Sequence, residues 1–84
     1  MLSQTYLRSL YGPASAFSEY QPGDVISYLE QGREQSGMIL WVCAPSVRGN
    51  RYIGMIYVVQ PRGSGRPDLV SPANVLTASE EAPG

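Results

Sequence analysis

The side chains that usually carry enzyme chemistry are scarce in this chain. Histidine is absent, which removes the usual general base, the commonest metal ligand and every Ser-His or Cys-His nucleophile arrangement. Cys43 is the one cysteine. It has no intramolecular disulfide partner, and inside the apolar run 38–43 it reads as a small buried hydrophobe. Glu80 and Glu81 stand near the C-terminus; Glu19, Asp24, Glu30, Glu34 and Asp68 are scattered, mostly in turn-like sequence. Acid–base catalysis or hard-metal binding needs several such carboxylates brought together from different loops. The expectation is a non-enzyme without metal or cofactor.

Two groups of residues have binding chemistry instead. All six cationic side chains are arginine, so any phosphate or carboxylate contact would use the planar guanidinium fork. Arg48, Arg51, Arg62 and Arg66 stand against Asp68 alone in the stretch 46–76, whereas 1–45 holds two arginines against Glu19, Asp24, Glu30 and Glu34. The formal net charge is −1, so a basic patch on the second half is local and not a property of the whole surface. Arg62-Gly63-Ser64-Gly65-Arg66 offers backbone amides and two guanidinium groups to a phosphate. It lacks the lysine and the spacing of a Walker loop, and reads first as a mobile surface loop. Tyr28, Trp41, Tyr52 and Tyr57 are the second group: they either line a pocket for a partner, a cation or a stacked base, or pack the core.

The elements that must position these residues are short. At 84 residues the chain is one domain at most, burying roughly 60–65% of its unfolded surface. Residues 3–11 read as a helical turn with Leu2, Tyr6 and Leu10 at four-residue spacing, Leu7 beside them, and Gly12-Pro13 as the stop. Gln21-Pro22-Gly23-Asp24 is a turn signal. Strands are expected over 24–29, 35–44 and 51–59, with a turn at Glu30-Gln31-Gly32-Arg33 and loops over 45–50 and 60–67. Leu69-Val70 pairs briefly, Ser71-Pro72-Ala73-Asn74 turns, and 75–77 forms a last strand. Gly54 within the third strand fits a bulge or sharp bend.

The two long strands are apolar on both faces: Met38, Leu40 and Val42 alternate with Ile39, Trp41 and Cys43. A strand with one wet face alternates apolar and polar, so something covers the outer face: the expectation is the N-terminal segment over part of it and a second copy of the chain over the rest. The expected organisation is an N-terminal helical turn and loop packing on the barrel (1–19), a small five-stranded, mainly β barrel (20–77) and a disordered tail (78–84). No stretch approaches the ~20 apolar residues of a membrane span, and no signal-peptide pattern opens the chain. A cytoplasmic protein without membrane association is expected.

Gly23-Asp24-Val25-Ile26-Ser27-Tyr28 resembles the first strand of the SH3-like barrel superfamily in its broad sense, Tudor-like and KOW-like modules included. Gly37-Met38-Ile39-Leu40-Trp41-Val42 is similar to the second, Tyr52-Ile53-Gly54-Met55-Ile56 to the third, and Val70-Ser71-Pro72-Ala73-Asn74-Val75-Leu76 to the closing turn and strand. Against true SH3 domains there are three departures. Val75 replaces a ligand-stacking tyrosine, Trp41 lies inside a strand instead of opening one, and the acidic loop shrinks to Glu19, which argues against a proline-rich-peptide groove. The resemblance implies a non-catalytic interaction module. The expected partner is a protein or a second copy, bound through an apolar strand face; the alternative is nucleic acid bound through the arginines of 46–66.

Overall fold

The computed structural model describes residues 3–63 and 65–78. The protein is mainly β, with one short N-terminal helix, α1 (Gln4–Tyr11). Seven strands follow: β1 (Val25–Glu30), β2 (Arg33–Cys43), β3 (Ser46–Arg48), β4 (Arg51–Ile53), β5 (Ile56–Pro61), β6 (Asp68–Val70) and β7 (Val75–Ala78), with a 3₁₀ turn (Pro72–Asn74) before the last. Five of them form one antiparallel sheet in the order β6-β5-β2-β1-β7, while β3 and β4 form a separate two-stranded ribbon. The sheet does not close into a barrel among the described residues. No described helix is long and apolar enough to cross a membrane. The expected tail lies, from residue 79 onward, outside the described residues.

Local chemistry accounts for the junctions. Ser3 caps α1 by accepting the Tyr6 amide on its side chain, and Gly12, at φ 84°, ends the helix. Before β1, Asp24 Oδ2 accepts the Gln21 amide while the Asp24 amide returns to the Gln21 carbonyl. Gly23 supplies the positive φ that this turn requires. Gln31 and Gly32 both have positive φ, giving the two-residue hairpin turn whose twist suits the flanking strands.

Strand β2 belongs to two strand pairs. Its first half pairs with β1, its second half with β5, and Gly37 sits where the two overlap, opposite both Ile26 and Pro61. A Cβ there would collide with the Gln60 carbonyl oxygen and approach Val59 Cγ1 to 2.8 Å. One residue past Ile39 the register with β5 shifts, leaving Leu40 without an opposite residue. This bulge corrects the strict alternation expected of 38–43. Ile39 and Val42 now both enter the inner core, whereas Trp41 joins a cluster with Val58 and Leu7.

The expected third strand, 51–59, is also corrected. The chain breaks at Gly54-Met55, and 51–53 pairs back on 46–48, a stretch expected to be loop. Gly54 lies at this break, where the chain leaves one sheet for the other.

The inner core comprises Ile26, Tyr28, Ile39, Val42, Tyr57, Val59 and Val70, with Tyr20, Met55 and Val75 packed against it. The Tyr20 ring meets Tyr57 edge-on at 6.0 Å. Three strand spacings, roughly 14 Å in a flat sheet, separate β1 from β6. Yet the Tyr28 hydroxyl donates to Asp68 Oδ2 at 2.9 Å. The sheet is therefore strongly curled around this core.

The second cluster lies under α1: Leu7, Trp41 and Val58 are buried, with Tyr11, Leu40 and Cys43 around them. Burying a leucine contributes about 1.5–3 kcal/mol, and this contact orients the helix. The apolar stripe expected through Tyr6 and Leu10 is displaced: both are half-exposed, and the docked line runs through Leu7 and Tyr11.

Candidate interaction surface

Of the four aromatic residues selected for partner binding, three belong to the interior. Tyr28 and Tyr57 are in the inner core, and Trp41 lies in the cluster under α1 with its indole N–H donating to the Gly12 carbonyl at 3.1 Å. Tyr52 alone presents its ring to the surface, 69% exposed on the β3–β4 ribbon opposite Val47. The four do not line one pocket; the inward pleat of β1 and β5 and the bulge in β2 direct them apart. Burial, and then the bond to Asp68, pushes the Tyr28 phenol far above its ordinary value; burial also pushes Tyr57 up. Both rings are held neutral.

The arginines are divided as well. Arg48 and Arg51 are register partners flanking the Gly49-Asn50 turn. Arg62 and Arg66 lie beyond the other end of β5, where the Arg62 amide donates to the Ser36 carbonyl. Strand β5 has six residues, so roughly 17 Å of strand separates the pairs. Ser64, the centre of the expected phosphate loop, lies outside the described residues. Among the described residues no group of three or more Cys, Asp or Glu side chains is placed to hold a metal ion.

What the fold does bring together is apolar. A groove of about 600 Å³ runs between the C-terminal end of α1, the end of β2, the β3–β4 ribbon and β6. Leu10, Cys43, Val47, Ile53, Ile56 and Leu69 form its apolar walls, and none of the described residues lining it is charged. Leu10, Val47 and Leu69 are 54%, 68% and 61% exposed. Three such side chains around one uncharged depression make a contiguous patch, unlike the scattered apolar residues of an ordinary surface. Burial pushes the Cys43 thiol above its usual value, so this groove residue stays protonated and apolar at neutral pH.

A second, smaller depression of about 430 Å³ has a mixed lining, with Gln4, Thr5, Arg8 and Gln21 beside Ala14, Pro22, Trp41 and Val42. Val47 and Leu69 carry little signal in the sequence, because one stands in an expected loop and the other in a two-residue strand. The available signal was a β-branched or aliphatic residue set between turn residues, which is weak without the strand pairing. Comparison with protein-family models, with curated proteins and with solved structures returns no match.

Proposed function

We propose that this domain is a non-catalytic interaction module built on an SH3-like barrel, and that it binds an extended, uncharged apolar segment of a protein partner in the groove beside β6. The barrel reading is supported by the strand order: a meander β1-β2-β5-β6, then one 3₁₀ turn, then β7 returning to pair with β1. The curl that joins Tyr28 to Asp68 is in keeping with it. The observation that carries the binding reading is the exposure of Leu10, Val47 and Leu69 around an uncharged groove. A charged segment would lose its hydration there and find no partner, whereas an apolar one gains from burial.

The test is selection of extended peptides from a displayed random library on the natural protein, followed by binding to Leu69→Asp. The selected sequences should be uncharged and apolar. Their affinity should fall about 100-fold in the variant, the loss of one buried anchor plus a buried unpaired charge. Amide shifts should gather at Leu10, Val47, Ile53 and Leu69. Selection of acidic peptides, or affinities indifferent to Leu69→Asp, would refute the reading.

A further inference from the structure

The N-terminal segment is held on the outer face of the sheet by few and separable contacts. Leu7 is its one buried side chain among the described residues. Beyond it stand Tyr11, half-buried against the same cluster, the Trp41 indole bond to the Gly12 carbonyl and a short strand-like pairing. The Ser15 amide donates to the Val42 carbonyl at 2.8 Å and the Ala44 amide to the Pro13 carbonyl at 2.9 Å, around an Ala14–Cys43 bridge. This pairing occupies the edge of β2 that β1 leaves open beyond Val25. An eight-residue helix is too short to persist undocked, so the segment either rests on this face or is disordered.

The chain then turns sharply. Residues 16 and 17 form a bend, the Phe17 amide donates to Ser15 Oγ, and by Tyr20 the chain is anchored again through its ring against Tyr57. At the bend, Phe17 is 92% exposed. A large aromatic at a tight hinge, uncovered among the described residues, gains from burial against an apolar surface. Short hinges between two anchored elements are the places where identical chains exchange those elements.

We propose that residues 3–15 are exchanged reciprocally between two copies of this chain. The hinge at 16–17 opens, each segment docks on the other copy's Trp41, Val58 and β2 edge, and every contact of the closed form is remade between chains. The one new surface is where the two opened hinges run past each other, and Phe17 of each copy is buried there. The occupant of the face is thus a second copy, because the segment that demonstrably fits this face is the chain's own. The exchanged segment also carries Leu10, one wall of the apolar groove, so in the exchanged pair each groove is completed by the other copy; the proposal does not rest on what that groove binds.

Trp41 is the single tryptophan and lies under the segment, so it reports docking directly. Two chains are prepared: Leu7→Asp, which keeps the tryptophan and loses its anchor, and Trp41→Phe, which keeps the anchor and is dark. Alone, the Leu7→Asp chain should emit to the red of the natural protein. Refolded with an equal amount of the Trp41→Phe chain, it should return to the blue, with light scattering giving the mass of a pair. Red emission that persists in the mixture overturns the proposal.

A second variant guards against a Leu7→Asp chain that cannot fold at all. Phe17→Ser should keep the natural Trp41 emission and raise the concentration needed for dimers about tenfold or more, the loss of a buried aromatic contact. An unchanged dimerisation midpoint overturns the proposal. So does a dimer that Leu69→Asp abolishes while mixing fails to rescue Trp41 emission, since association would then run through the groove.

Discussion

At the residue scale, two positions hold the curled sheet in shape. Gly37 lies where β2 passes from one partner strand to the other, and the Gln60 carbonyl leaves no room for a methyl group. Backbone cannot yield as a side-chain tip can, so Gly37→Ala should cost about 1–3 kcal/mol, read from denaturant midpoints; an unmoved midpoint would mean the crossing is looser than described. Tyr28 makes the complementary contact, spanning the curl to Asp68. Tyr28→Phe keeps the ring and removes the donor, at an expected cost of about 1–2 kcal/mol. The same residue gives the protein an alkaline limit. Burial, then the Asp68 bond, raises the Tyr28 phenol pKa in the folded state, so the native protein binds that proton more tightly than the unfolded chain. This stability is complete below the ordinary tyrosine value of about 10 and is lost as pH rises above it. Tyr57, raised by burial, acts in the same direction. Thermal unfolding followed from neutral pH to pH 11 should show the midpoint falling above pH 10, and less steeply in Tyr28→Phe; equal slopes would remove Tyr28 as the cause.

At the element scale, what could be read from the chain was whatever local chemistry decides. The helix stop at Gly12, the turn at 21–24 and the β1–β2 hairpin each follow from a residue whose backbone preference is strong. The hairpin still carries one misfit: Gln31 sits at φ 54°, a conformation that costs a non-glycine side chain about 1 kcal/mol and that asparagine tolerates better. Gln31→Asn should therefore stabilise the protein by about 0.5–1 kcal/mol, measured by chemical denaturation; a loss of stability would show that the glutamine has a compensating contact. The parts that could not be read depend on partners far along the chain. Leu40 bulges because of its register with β5, and that one extra residue moves Trp41 to the opposite side from Ile39 and Val42. The 46–53 ribbon shows no more in sequence than valine and tyrosine about a Gly-Asn turn, and its pairing is what gathers Val47 and Ile53 into the groove. The candidate site was thus legible as an apolar excess on the strands, but the individual residues were not, because exposure is settled by which strand lies beside which.

At the scale of the whole molecule, the charge pattern is where sequence and fold lead in different directions. Four arginines with only Asp68 opposing them in 46–76 look like one basic surface when counted along the chain. The fold assigns Arg48 and Arg51 to the ribbon turn and Arg62 and Arg66 to the far end of β5. Tracking a nucleic-acid backbone requires cations in a continuous line, and its signature is affinity that falls steeply with salt. Two separated pairs, on a protein whose net charge is −1, give neither continuity nor a long-range field. A two-dimensional amide titration with mixed short DNA and RNA, at low and at moderate salt, decides the matter. The expected result is that no salt-sensitive set of shifts spans both 46–53 and 62–66, and that Arg62→Ala with Arg66→Ala leaves peptide binding in the groove unchanged. Shifts that appear at both places together and vanish with salt would show that nucleic acid bridges β5. They would transfer the binding function from the apolar groove to the arginines, because only a polyanion long enough to span the strand reaches both pairs at once.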